Sequence, residues 1–370
     1  MGYGGPGTDS GGRLVAVDAL RGFDMFWIIG GQRILQGLLK GNGSKWLGKL
    51  EPQMHHVPWG GFHFIDLIMP LFLFIVGVVM PFSFSRRLAA GGGKKKLYLH
   101  VVTRTVVLFV LGMIAQGNLL AYDLSKLKIC CNTLQAIAVG YLITSLILLN
   151  LSLRWQMVTT AGLLLAYWAL LSWVPVPKYG PGVLTPEGNL AIWLDHLILG
   201  RYQDGTPYTW ILSGMTFACT VMLGALAGQL LRSGQSPTAK GLWLLGAGMG
   251  CCASGWVWGR WFPIIKHLWT SSFVLYAGGI SLVLLAVFYL VIDVWGWRRW
   301  AFGFVVIGMN AIAVYMATSL YDFRQIGNIF VKGLNKWAGP WNDLLHAVAG
   351  FVVIWLTLYW MYRKKSFVKI

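Results

Sequence analysis

The chain has 370 residues, 56% of them hydrophobic and only 11% charged, with a mean hydropathy of +0.63. A soluble domain rarely carries so much apolar surface on so few charges, which excludes a water-soluble enzyme and points to a polytopic membrane protein. The formal charge of +18 invites a nucleic-acid reading. It is rejected, because Lys and Arg stand mainly between apolar runs, where they set topology and meet anionic headgroups.

Residues 1–12 are Gly-rich and polar and read as a flexible segment ahead of a single transmembrane domain, 13–370. The first apolar run is too long for a signal peptide and lacks a small-residue cleavage site, so it is expected to stay as the first helix. The apolar runs predict an all-α polytopic protein with about ten spans. They fall near 17–38, 61–84, 98–121, 131–150, 156–176, 208–231, 241–259, 268–294, 300–319 and 340–362. Loops after even-numbered spans, such as "SRRLAAGGGKKK" (85–96) and "WRRW" (297–300), are short and basic. They hold about 15 Lys and Arg against roughly 12 in the longer loops opposite, which places both termini in the cytoplasm. The long outer loops are 39–60, 177–207 and 320–339, and the second contains "NLAIWLDHLILG", an amphipathic pattern that predicts a short interfacial helix.

Small-residue spacings, Gly246 with Gly250 and Gly255 with Gly259, predict close helix packing. No internal repeat supports a duplicated transporter architecture. Cys130, Cys131, Cys219, Cys251 and Cys252 match neither a disulfide framework nor zinc spacing and read as small packing residues.

Ionisable residues at membrane depth are costly, so each is a functional candidate. Arg21, Asp24 and Arg33 fall in the first span, Asp66 in the second and Arg104 in the third. Asp18 reads as a helix N-terminal group, and Asp293, beside Arg298 and Arg299, as half of an interfacial ion pair. The densest cluster is "MHHVPWGGFHFIDLIMP" (54–70). A helix starting near Gly61 sets Asp66 about 8 Å inside and on one face with His63. His56 can fold back over the helix end, and a His beside a carboxylate is the usual arrangement of a general base. The alternative is a structural pair of Asp66 with Arg21 or Arg104. His55, His56, His63 and Asp66 match no zinc pattern, so no metal is expected. "GAGMGCCASG" (246–255) follows no strand, which removes a nucleotide-loop reading.

The opening "RLVAVDALRGFDMFWIIGG" (13–31) resembles the start of the heparan-α-glucosaminide N-acetyltransferase family and its bacterial relatives. "HVPWGGFHFIDLIMPLFLFIVG" (56–77) is similar to the family's next landmark, placing His56, Trp59, Asp66 and Pro70 in its pattern. "TRTVVLFVLGMIAQGN" (103–118), "TLQAIAVGYL" (133–142), "VPVPKYGPG" (174–182), "HLWTSSFVLYAGG" (267–279), "VIDVWG" (291–296), "GMNAIAVYM" (308–316) and "YRKKSFVKI" (362–370) follow in family order. There are two departures. Gln32 stands where some relatives have an Asn at the outer end of the first helix, and Ala136 replaces an Arg after Leu134-Gln135.

The resemblance implies a transmembrane acyltransferase carrying acetyl from cytoplasmic acetyl-CoA to the amino group of a sugar or glycan on the outer, periplasmic side. The membrane is then a bacterial inner membrane, and the family suggests a homodimer. His56 is the implied catalytic base with Asp66 orienting it. Coenzyme contacts are expected from Arg104, Arg21, Gln135, Asn118 and Asn310, with Arg86, Arg87 and Lys94–Lys96 as a basic inner rim. Acceptor contacts are expected from Trp59, Trp269 and His55, and Trp46, Trp193 and Tyr202 are further outer-loop aromatics. The alternative from another class is a permease for sugars or amino sugars, which needs neither an outer-loop histidine nor a coenzyme site.

Overall fold

The computed structural model describes residues 14–42, 48–91 and 93–368. The expected flexible segment 1–12 and Trp46 lie outside the described residues. The fold is helical throughout, and the β-pairing among the described residues is confined to isolated bridges. The chain forms two compact units. The first takes the residues up to Val57, His63–Ile68 and Leu284–Lys369; the second takes Pro58–Phe62 and Met69–Val283.

In the first unit, α1 (Val15–Phe26) runs into a π-helical stretch, Trp27–Gly31, and continues as α2 (Gln32–Asn42). Gly30 departs from helical geometry there, so the expected first span is a broken helix. No side chain of its own caps α1; instead the Ala16 amide donates to Asp293 Oδ2 at 3.1 Å. Asp293 therefore serves a helix N-terminus, where a carboxylate complements the dipole, and Arg298 turns to the Ile292 carbonyl instead of pairing with it. Later in the chain come α11 (Phe302–Gly308) and α12 (Ala311–Leu320), two short helices bent by 62° across Met309 and Asn310. The unit is completed by α13 (Arg324–Val331), α14 (Asn335–Ala338) and α15 (Asn342–Arg363). α1 lies against α11 so closely that a Cβ on Gly22 would sit 1.7 Å from the Phe304 carbonyl oxygen. Only glycine permits that approach.

The second unit holds most of α3 (Ile68–Ala89), then α4 (Gly93–Ala115), α5 (Thr133–Asn150) and α6 (Leu153–Trp173). The expected interfacial helix appears as α7 (Leu190–Leu199), capped by Asn189, whose Oδ1 accepts from the Ile192 amide at 2.7 Å. It is followed by α8 (Gly214–Arg232), α9 (Pro237–Trp258) and most of α10 (Ser271–Phe288). The α9–α10 contact uses Gly248 and Gly255, whereas Gly246 and Gly250 face open space. The small-residue pair expected at 246 and 250 is thus on the wrong face: a shift of two residues turns a helix by about 200°.

Six helices are long and apolar enough to cross a membrane, or seven if the bent pair α11–α12 counts as one span, among the described residues. The expected spans at 17–38, 156–176 and 241–259 do form helices, α1–α2, α6 and α9, but fall short of that apolarity. The reason is compositional. α1–α2 carries Asp18, Arg21, Asp24, Arg33 and Lys40, and α6 and α9 are interrupted by Trp, Gly, Gln, Ser and Thr.

Candidate active site

The segment from Glu51 to Leu67 is built as two single turns of 3-10 helix, Glu51–Met54 and Phe64–Leu67, joined by an irregular loop. The regular α3 starts only at Ile68, so Asp66 sits in the entry turn of the helix and not some turns inside it. Pro52 in the first turn of one 3-10 piece and Gly60-Gly61 in the loop explain why no helix forms earlier; Gly61 has φ +118°.

Asp66 is fully buried, and its carboxylate accepts hydrogen bonds from the imidazole of His56 and from two backbone amides. His56 Nδ1 donates to Oδ1 at 2.7 Å, while the amides of His63 and Val57 donate to Oδ2 at 3.0 and 3.4 Å. The loop thus folds back over its own helix entrance and closes on one carboxylate. The His56 side chain is 49% exposed, against 0% for Asp66. With its proton on Nδ1, the imidazole carries its basic lone pair on Nε2. A buried anion fixing the tautomer of a half-exposed imidazole is the chemical arrangement of a general base.

The loop is braced from α2. Gln32 Nε2 donates to the Met54 carbonyl at 2.8 Å and Gln36 Nε2 to the same oxygen at 3.3 Å. These glutamines are four apart and share a helix face. Sequence reading had only Gln32, as a substitute for an Asn. Gln53 Oε1 receives the Phe64 amide at 2.9 Å, and Trp27 packs edge-on against Phe64 with ring centres 4.8 Å apart. The other histidines have different partners. His55 Nε2 lies 2.8 Å from Glu51 Oε1 on the surface, and His63 Nδ1 donates to the His55 carbonyl at 2.8 Å.

The remaining expected residues fall into two groups. Within the second unit, Trp59 Nε1 donates to the Leu184 carbonyl at 2.8 Å, and its ring stacks on His267 with centres 5.3 Å apart. Tyr208 lies 4.4 Å from the same imidazole, and Lys266 Nζ is 6.0 Å from the Tyr208 ring centre. His267 and Lys266 were missed as site candidates, although His267 opens a motif quoted for the family. Trp269 is 1% exposed, donates from Nε1 to Thr220 Oγ1 at 2.9 Å and packs edge-on against Phe217 and Phe273. It is a core residue, not an open platform for a sugar.

Arg104 stacks over the Tyr141 ring, 4.7 Å from its centre, and its buried Nε has no partner among the described residues. Gln135 is engaged locally: Oε1 accepts from the Cys131 and Asn132 amides at 2.8 and 3.1 Å, and Nε2 donates to the Ile129 carbonyl. Asn118 adopts a left-handed backbone and donates to the Lys126 carbonyl at 3.1 Å, closing its loop. In the first unit, Arg21 lies 3.6 Å from Asp18, one turn back on α1. Asn310 ties the C-terminal tail to the bend between α11 and α12, donating to the Ser366 carbonyl at 3.2 Å and accepting from the Val368 amide at 3.0 Å. Neither oxygen of buried Asp24 has a partner among the described residues.

Asp195 on α7 is buried and accepts the Trp210 and Ile211 amides at 2.7 and 2.9 Å. Burial pushes its carboxyl up to about 6 against the pull of those two bonds. The five cysteines are free, and burial raises the Cys130 thiol to about 12 and the Cys131 thiol to about 11.

No family model matches the chain. Two curated relatives, each named heparan-alpha-glucosaminide N-acetyltransferase, do. The Mus musculus protein is 26% identical over 98% of this chain and 61% of its own length. The Homo sapiens protein is 26% identical over 97% of this chain and 60% of its own length. The chain therefore spans about three fifths of the length of the curated relatives it matches.

Proposed function

We propose, from the premise that this chain is a relative of the heparan-alpha-glucosaminide N-acetyltransferases over nearly its whole length, that it is a membrane acetyltransferase. It moves acetyl from acetyl-CoA to the amino group of a sugar or glycan. One observation carries the reading: the 2.7 Å contact of half-exposed His56 with fully buried Asp66 at the entrance of an apolar helix. A permease needs neither this outer-loop histidine nor a coenzyme site.

In the proposed reaction the acceptor amine attacks the thioester carbonyl carbon. As the C–N bond forms, the carbonyl π electrons move to oxygen and His56 Nε2 takes the amine proton. Collapse of the oxyanion breaks the C–S bond, and the imidazolium returns its proton to the leaving sulfur, giving the amide and coenzyme A thiol. Asp66 stabilises the imidazolium throughout and keeps Nε2 as the basic nitrogen. Trp59, three residues along the chain from His56, is the first acceptor contact to test. Arg104 is the first coenzyme contact to test, with exposed Arg86, Arg87 and Lys94–Lys96 as the basic rim for phosphates. Gln135, Asn118 and Asn310 rank lower because their amides already serve backbone groups. The reading includes about ten spans, both termini in the cytoplasm, acetyl-CoA from that side and acceptor from the other, in a bacterial inner membrane and as a homodimer.

The test is acetyl transfer by purified protein from acetyl-CoA to a panel of amino sugars. His56→Ala is expected to abolish transfer and keep acetyl-CoA binding. Undiminished transfer by His56→Ala removes the assignment, and sugar uptake into liposomes without acetylation favours the permease.

A further inference from the structure

A cavity of about 270 Å³ opens in the first unit, and neither His56 nor Asp66 lines it. Its apolar wall is the break in the first helix, Ile28 to Gly30, with Phe351 and Ile354 of α15 opposite. Ile354 is 5% exposed, whereas the side chains of Arg33, Asp322 and Arg324 are 55%, 36% and 45% exposed, so the charged residues form the open end.

The charges at that end do not cancel. Arg324 holds Asp322 in a two-pronged pair, with its Nε 3.0 Å from each carboxylate oxygen and Nη2 2.5 Å from Oδ2. Arg33 reaches Asp322 only at 4.0 Å, beyond hydrogen-bond range, which leaves one guanidinium in excess. Thr318 and Ser319 also line the cavity, but their hydroxyls donate to carbonyls of their own helix. The side-chain donors left for a ligand are therefore the guanidinium groups and the Tyr321 hydroxyl. On the neighbouring α13, Ile329 and Phe330 are 76% and 75% exposed.

We infer that this cavity is a lipid site, taking an anionic glycerophospholipid with its phosphodiester on Arg33 and Arg324 and its first acyl carbons against Ile28, Phe351 and Ile354. A planar guanidinium suits the phosphate oxygens, and an apolar floor suits a chain and not a free ion. The site also bears on the loop at His56. Arg33 follows Gln32 on α2, the helix whose glutamines hold the Met54 carbonyl.

The test is native mass spectrometry of the full chain in detergent, with phosphatidylglycerol, phosphatidylcholine or inorganic phosphate added. The wild type is expected to retain one phosphatidylglycerol in preference to phosphatidylcholine. Arg33→Gln is expected to weaken retention about tenfold, the change that loss of one charge-assisted hydrogen bond brings. Ile28→Trp, which narrows the cavity and leaves all three charges, is expected to exclude the lipid, and it decides the matter if Arg33→Gln does not fold. Equal retention by the wild type and Ile28→Trp overturns the inference. So does the absence of any preference for phosphatidylglycerol, or inorganic phosphate held as tightly as the lipid, which marks a free-anion site.

Discussion

Replacing Asp66 by Asn tests the proposed chemistry most directly, because it removes a charge while nearly preserving shape. Oδ2 accepts two backbone amides, from His63 at 3.0 Å and Val57 at 3.4 Å, so the carboxamide oxygen must stay there. The new NH2 then faces His56 Nδ1, which has to become an acceptor, and the imidazole proton moves to Nε2. The nitrogen proposed to take the amine proton is left without a lone pair. In a fully buried catalytic triad this inversion costs about 10⁴ in kcat. His56 is 49% exposed, so water offsets part of the loss, and a fall of about 10²–10³, or about 3–4 kcal/mol in barrier, is expected. The assay is coenzyme A thiol release with an acceptor that the wild type acetylates, alongside a thermal midpoint. The midpoint is expected to stay within a few degrees, since both backbone amides keep their acceptor. Asp66→Asn combined with His56→Ala is expected to be no slower than His56→Ala alone, because the two act as a unit. A wild-type rate for Asp66→Asn, or a loss that adds to that of His56→Ala, would refute the argument.

Four further outcomes are expected. Changing Gln32 and Gln36 together to Leu removes both donors to the Met54 carbonyl and should lower turnover severalfold while costing about 1–2 kcal/mol, read from rate and melting temperature together. Gly22→Val drives a side chain into the Phe304 carbonyl and should destabilise the first unit by about 3 kcal/mol or more, visible as loss of monodisperse protein on gel filtration. Asp195, raised to about 6 by burial, binds its proton more tightly folded than unfolded. Its contribution is therefore full below about pH 4 and lost as pH rises through about 6, worth at most about 3 kcal/mol. A melting series from pH 4 to 7 should show that slope in the wild type and not in Asp195→Asn. Cys130 and Cys131, raised to about 12 and about 11, should resist iodoacetamide at neutral pH until the protein is unfolded, as intact mass would report.

Much of the architecture was legible in the residues. Long apolar runs become helices wherever they fall, so segments near 64–89, 133–150 and 342–363 match expectation within a few residues. The short helix at 190–199 announced itself by its amphipathic pattern. The pairing of a histidine with Asp66 was also readable, because both lie in one short segment where a returning loop has few alternatives. By contrast, which glycines of α9 meet α10 depends on the rotation of a helix, a quantity that composition does not encode and only the packed neighbour sets. The roles of Gln135 and Asn310 were hidden for a related reason: their partners are backbone carbonyls and amides, which every residue carries.

The sequence by itself determined that this is a helical membrane protein and that His56 and Asp66 share one short segment leading into an apolar helix; only the structure put Asp66 in the entry turn of that helix. Tertiary structure decided the rest. It joined Asp293 to the start of α1, held the histidine loop from α2 through Gln32 and Gln36, and set Arg33 against Asp322, 289 positions away in number. Local periodicity fixes what a segment becomes. Contacts between segments far apart in sequence arise only when buried polar groups must find partners, and which partner is near enough is a property of the packed chain.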